Sequence, residues 1–250
     1  MGGTDSVNSH GVYGTKGVSS PLNNPPGIIF GSNWTDAYGN FWVYGGETIN
    51  GYSNDLWKYD LATHQWTWIN GSKGVSDQMP VYGINGVADT NNTPGERQCS
   101  GSWTDNQGNL WLFGGEGYLE TGWGCGYHDL WRYVPLLKMW TWMKGDTTCG
   151  INGFNAHYGV KGIEDSMNNP SYTHAMGVTW TDNFGYLWMV DVKGCMWRYN
   201  IQSNNWCWMN GDTLGHAKYG QKFTPSTTTT PGATEADCRV SPAAWPRVVT

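Results

Sequence analysis

Residues 33–71 read NWTDAYGNFWVYGGETINGYSNDLWKYDLATHQWTWING, and the chain says this phrase again twice. Residues 102–145 read SWTDNQGNLWLFGGEGYLETGWGCGYHDLWRYVPLLKMWTWMKG, and residues 179–211 read TWTDNFGYLWMVDVKGCMWRYNIQSNNWCWMNG. Each copy carries five Trp in one order: Trp34, Trp42, Trp57, Trp66 and Trp68, then Trp103, Trp111, Trp131, Trp140 and Trp142, then Trp180, Trp188, Trp197, Trp206 and Trp208. Of the 17 Trp, only Trp123 and Trp245 fall outside this phasing. Self-similarity on this scale is the signature of a repeat architecture.

Each copy divides into four short strands. The first ends in Asn33-Trp34, Ser102-Trp103 or Thr179-Trp180, and "TDAYG", "TDNQG" or "TDNFG" follows. Asp opens a tight turn and Gly closes it three residues on, where a positive φ costs glycine little. "NFWVYGG" and "NLWLFGG" supply the second strand, "DLWKY" and "DLWRY" the third, and "QWTWI" and "MWTWM" the fourth. Residues two apart share a face of a strand, so Trp66 and Trp68 point the same way, as do Trp140 and Trp142. Four antiparallel strands, repeated, make the blades of a β-propeller.

The double glycines Gly45-Gly46 and Gly114-Gly115, followed by "NDLWKYDLATHQW" and "HDLWRYVPLLKMW", resemble the kelch repeat. The third copy departs from that pattern, with Asp191-Val192 in place of the glycines and "GCMWRYN" in place of "NDLWKYD". The resemblance implies an all-β fold of kelch-like four-stranded blades in tandem, here three repeats of an incomplete or open propeller. It also brings in the galactose-oxidase type of copper enzyme, whose site needs two His, a Tyr, and a Tyr cross-linked to Cys.

The connections repeat as well. "GVYGTKG", "PVYGINGV" and "HYGVKG" share Tyr-Gly-x-x-Gly, and "NNPPG", "NNTPG" and "NNPS" follow them; "KYGQKF" at residues 218–223 starts the pattern once more. The expected layout is a repeat array over residues 1–223, with copies at about 1–71, 72–145 and 146–211 and the start of a fourth at 212–223. A Thr/Pro-rich linker at 224–234 and a C-terminal tail or anchor at 235–250 follow. The opening "MGGTD" reads as the exit turn of a fourth strand, so the chain is expected to be part of a longer polypeptide or to be completed by a neighbour. Three blades do not readily close a ring, and an open array leaves strand edges ready to pair with another chain. A head-to-tail contact that does not close produces a filament.

Composition narrows the function. Charged residues make up 14% of the chain, against about 25% in an ordinary soluble domain, and Gly numbers 36 of 250. A net charge of -6 argues against a nucleic-acid partner. No apolar run approaches the roughly 18 residues of a membrane-spanning helix. The six cysteines, Cys99, Cys125, Cys149, Cys195, Cys207 and Cys238, show no metal-ligand spacing and are expected to form disulfides in an oxidising compartment. Sequons at Asn33, Asn70 and Asn91 are N-glycosylation candidates, and Thr227, Thr228, Thr229 and Thr230 are O-glycosylation candidates.

No nucleophile elbow, zinc-binding helix motif or phosphate loop is present. The six His (His10, His64, His128, His157, His174 and His216) stand singly at unmatched repeat positions. The expectation is therefore a non-enzymatic extracellular structural or adhesive protein without a cofactor, a self-assembling subunit of a surface fibre or sheath. Its partners would be copies of itself, other extracellular proteins or glycans. The alternatives are a carbohydrate-binding propeller module, for which Trp123 and Trp245 are the contacts left free by the repeat, and a fragment of a galactose-oxidase-like enzyme.

Overall fold

A computed structural model describes residues 9–76, 78–118, 124–150, 156–171, 178–219, 221–222 and 229–231. Among these residues there are seventeen short strands and no helix. β1 (Ser32–Thr35) and β2 (Phe41–Tyr44) lead into a small hairpin of β3 (Glu47–Thr48) and β4 (Gly51–Tyr52), then into β5 (Leu56–Asp60) and β6 (Gln65–Asn70). The second unit repeats the plan with β7 (Gly101–Thr104), β8 (Leu110–Phe113), a hairpin of β9 (Glu116–Tyr118) and β10 (Gly124–Gly126), β11 (Leu130–Val134) and β12 (Met139–Lys144). In the third, β13 (Glu164–Asp165) precedes β14 (Val178–Thr181), β15 (Leu187–Val190), β16 (Met196–Asn200) and β17 (Asn205–Asn210). The main sheets run β1-β2-β5-β6, β7-β8-β11-β12 and β14-β15-β16-β17, all antiparallel, with β13 added outside β17. The expected four-stranded units are present three times in tandem.

The first turn of each unit is fixed by one aspartate. The carbonyls of Asp36, Asp105 and Asp182 accept the N–H of Gly39, Gly108 and Gly185 at 2.9, 2.9 and 3.0 Å. Their carboxylates accept the indole N–H of the second-strand Trp: Trp42 at 2.9 Å, Trp111 at 2.7 Å and Trp188 at 2.7 Å. Turn and indole together lock the register that sets Trp34 opposite Trp42, Trp103 opposite Trp111 and Trp180 opposite Trp188.

The long connections are built alike. Asn23, Asn92 and Asn168 each donate Nδ2 to two carbonyls. One is in the connection itself (Val18, Val87, Ile163), the other in the fourth strand that follows (Trp66, Trp140, Trp206). Glycine is required where the Asn folds back, because a Cβ on Gly83 would stand 2.3 Å from Asn92 Oδ1. Ser20 pairs with Trp66, Asp89 with Trp140, and β13 with β17, so each connection clips the outer edge of its own sheet. The connections that sequence leaves as loop thus supply the first hydrogen bonds of these outer edges.

Each connection also closes on itself over the same interval, Val12 with Asn24, Val81 with Thr93 and His157 with Asn169. Lys218 pairs with Thr230 in the same way. Thr229 and Thr230 therefore belong to a fourth copy of the connection and not to an open linker, and the threonines stand where Asn and Thr stand in the earlier copies. The tail at 235–250 lies outside the described residues.

The sheets stack face to face. Trp34, Trp42, Tyr44 and Leu56 of the first pack with Leu110, Leu112, Trp131, Tyr133 and Trp140 of the second. Trp103, Trp111, Phe113 and Leu130 of the second pack with Leu187, Met189, Trp197, Tyr199 and Trp206 of the third. The same strand positions meet in both joints. Trp34 Nε1 donates to Trp111 O at 3.0 Å, and Trp103 Nε1 donates to Trp188 O at 2.6 Å. Hydroxyls on the first strands complete the joints: Ser102 and Thr104 donate to Asn33 O and Thr35 O, and Thr179 and Thr181 donate to Ser102 O and Thr104 O.

Candidate functional site

A buried ion pair sits at the start of the third strand of the second unit. Between the first and second sheets Arg97 and Asp129 are both fully buried and form a two-pronged pair, Nη1 to Oδ1 at 2.7 Å and Nη2 to Oδ2 at 2.9 Å. Arg97 also donates to Gly114 O at 2.8 Å and through Nε and Nη2 to Pro94 O, and its guanidinium lies 4.2 Å from the centre of the Tyr127 ring. Asp129 accepts two further bonds, from Trp131 Nε1 at 2.7 Å and Tyr82 Oη at 3.0 Å. Burial by itself works against the charge on Arg97, and the Asp129 carboxylate outweighs it, holding the guanidinium above its ordinary pKa.

Equivalent carboxylates are spent in the same way. Asp55 accepts from Tyr13 Oη at 2.8 Å, from Trp68 Nε1 at 3.1 Å, and from the backbone N–H groups of Lys73 and Gly74. The repeated Tyr of the connections thus serves to bind the Asp of the third strand. In the third unit Cys195 takes the Asp position, and its thiol lies 3.7 Å from Tyr158 Oη. Asp191, one of the two residues that replace the double glycine, closes a direct β15–β16 turn and accepts Trp197 Nε1 at 3.0 Å. It does for Trp197 what Asp129 does for Trp131. Burial raises its pKa.

Two of the six histidines, all read as standing singly in the sequence, border one groove. His128 and His157 line one open groove of about 360 Å³, with Lys144, Asp146 and Ser166. Lys144 Nζ is engaged by Ser166 O at 2.7 Å, and burial lowers its pKa. Burial also pushes His128 down to about 4, against a smaller opposing pull from Asp129. Unfolded His128 titrates near 6.5, so between pH 6.5 and about 4 the unfolded chain binds the extra proton and stability falls as pH falls. The expected loss across that window is on the order of 3 kcal/mol. Melting curves from pH 7 to 4 should show His128→Gln losing distinctly less than the wild type; parallel curves would assign the acid sensitivity elsewhere.

A second groove, of about 780 Å³, runs between the first turns of the first two sheets and is lined by Asp36, Tyr38, Asp105, Gln107 and Leu136. Tyr38, Leu136 and the equivalent turn residue Phe184 are 87%, 91% and 88% exposed. The signal for Tyr38 and Phe184 was the third position of the "D-x-[YQF]-G" turn, whereas Leu136 lies in the turn between β11 and β12. Among the described residues, no three His, Cys, Asp or Glu side chains are grouped so as to hold a metal ion.

The predicted site residues are dispersed. Cys125 and Cys149 form a disulfide, and Cys99 is disulfide-bonded too. Cys195 and Cys207 are free, buried thiols, which corrects the expectation for those two: Cys195 sits in the core between the second and third sheets, and Cys207 is enclosed on β17. Asn33 and Asn91 are exposed, on β1 and in the second connection, whereas Asn70 is half-buried with Oδ1 accepting the Gly71 N–H. Thr229 and Thr230 are half-buried. Trp123, Trp245, Cys238, His174, Thr227 and Thr228 lie outside the described residues. Trp180, expected in the core with the other repeat-phased Trp, is 38% exposed.

No family model and no curated protein matches the chain. Solved structures similar to it include the structure of YjhT, with a TM-score of 0.46 and 14% identity over 80% of this chain and 54% of that one. Another is a fungal alcohol oxidase of the AA5 family in complex with copper, with a TM-score of 0.37 and 11% identity over 72% of this chain and 30% of the oxidase. The chain spans about half the length of YjhT and under a third of the oxidase.

Proposed function

We propose that the chain is a non-enzymatic extracellular repeat protein of the kelch-like propeller type, a structural or adhesive subunit that assembles with copies of itself. The observation that carries this reading is how its reactive side chains are spent. Asp36, Asp55, Asp105, Asp129, Asp182 and Asp191 all bind indoles, phenols or backbone within the sheets. Catalytic groups need oxygens free to meet a substrate, and the oxygens of these carboxylates are taken up by bonds within their own turns and sheets. The Cys125–Cys149 disulfide supports an oxidising, extracellular setting, and among the described residues no helix is long and apolar enough to cross a membrane.

Carbohydrate binding is the second reading, favoured by Tyr38 and Phe184 at the turn tips, since exposed aromatic faces stack on sugars. Electron microscopy of the purified full chain tests the first reading directly. Rings or filaments are the expected images. Single monomers at every concentration, together with binding on a glycan array, would replace it with the second.

A further inference from the structure

The two joints inside the chain define a third, unfinished one. In each joint the trailing face of one sheet meets the leading face of the next through the same strand positions. At the trailing position of the first strand, Trp34 and Trp103 are each 3% exposed, whereas Trp180 is 38% exposed. Behind it, Trp188, Val190 and Met196 are half-buried where Trp111, Phe113 and Leu130 of the second sheet are wholly buried. Among the described residues the Trp180 indole N–H has no acceptor, although its two counterparts each have one in the next sheet. The chain enters a fourth connection at Lys218–Thr230, but no fourth sheet follows among the described residues.

The opposite end carries the matching half. Phe41 is 39% exposed where Leu110 and Leu187 are fully buried, and Tyr59 and Trp66 are half-buried where Tyr133, Tyr199, Trp140 and Trp206 are covered. A groove of about 390 Å³ opens there, lined by Ile28, Phe41 and Val43. Among the described residues Thr35 Oγ1 has no acceptor, although Thr104 and Thr181, its equivalents, each donate to the preceding sheet.

Resting on the self-assembly reading above, we infer that the trailing face of the third sheet takes the leading face of the first sheet of a second copy, continuing the joint already made twice within the chain. Trp180 then donates to the second copy's Trp42 carbonyl, as Trp34 does to Trp111 and Trp103 to Trp188. Thr35 of that copy donates to Thr181 O. Trp188 packs on its Tyr59, as Trp42 does on Tyr133 and Trp111 on Tyr199, where ring centres lie 6.1 and 5.6 Å apart. The faces are unlike, so the contact is head-to-tail: closed after two copies it makes a six-bladed ring, and left open it makes a fibre.

Sedimentation velocity of the full chain tests this with two variants, Trp180→Glu and Phe41→Glu. Each blocks one face and leaves the other intact. Wild type is expected to associate with rising concentration. Each variant alone should lose association by roughly 30-fold or more, the effect of removing an interface hot spot. An equimolar mixture should form a one-to-one dimer, because the open face of each variant fits the open face of the other. Dimer in the mixture also shows that both variants fold. Variants that associate like wild type would overturn this joint while leaving self-assembly standing, as would folded monomers, judged by near-ultraviolet circular dichroism, that do not pair on mixing. A wild type that stays monomeric would overturn the self-assembly reading itself.

Discussion

Asp129→Ala is expected to cost about 3–5 kcal/mol, the largest loss of any single substitution at a carboxylate in this chain. Its carboxylate accepts four hydrogen bonds, two from Arg97 and one each from Trp131 and Tyr82. Removing it strands a guanidinium with no access to water, since the Arg97 side chain is fully buried. The remaining acceptors, Gly114 O and Pro94 O, are neutral carbonyls and do not balance the charge. A buried ion pair adds little against a well-packed apolar replacement, yet breaking it from one side is costly. The double variant Arg97→Met/Asp129→Leu should therefore recover much of the loss. Urea unfolding of wild type, single and double variants measures this, and a single-variant loss below about 1 kcal/mol would mean that water reaches the site.

Trp206→Ala should be nearly as severe, at about 3–5 kcal/mol, because the indole is fully enclosed between two sheets and a large cavity is left behind. Its ring lies 5.4 Å from Phe113 and 6.4 Å from Trp103 of the second sheet and 5.0 Å from Tyr199 of its own. Trp66→Ala removes the same side chain from the same strand position of the first sheet, on a face against which no other sheet packs among the described residues. Its neighbours are Tyr59 and Phe41 of its own sheet, and the loss should be about 1–2 kcal/mol in dilute, unassociated protein. Unfolding free energies of the two variants under one buffer give the comparison. Equal losses would show that intrasheet contacts, and not the joints, carry the stability of these tryptophans.

The recurring Trp and the Asp-to-Gly turns were readable as strands and hairpins because their information is local. Asp36, Asp105 and Asp182 each close a turn on the glycine three residues on, and alternating bulky residues sort onto the two faces of a strand. Two local features were misread. The connections looked like loops, since the Asn23, Asn92 and Asn168 clips act on carbonyls some forty residues away. Thr229 and Thr230 resembled part of a linker because Thr229 stands where the other connections carry Asn, and only the pairing of Lys218 with Thr230 reveals their place.

The reach of the third unit was likewise invisible in one dimension. Asp191 reads as a lost glycine, but it replaces the missing third-strand carboxylate by approaching Trp197 from the other side of the turn. Arg97 gave no signal, lying in a connection with no charged counterpart in the other copies. The pairing of Cys125 with Cys149, and the freedom of Cys195 and Cys207, depended on which loops and strands met.

By itself the sequence determined the four main strands of each unit, the first turns and the threefold repeat, because each is written in residues close together along the chain. Which equivalent residues are core and which are surface was decided only by tertiary structure. Trp34, Trp103 and Trp180 are the same residue in the same local phrase, and two are buried while one is not. A strand position fixes the face a side chain takes; burial requires a second sheet against that face, and only stacking says where the second sheet is missing.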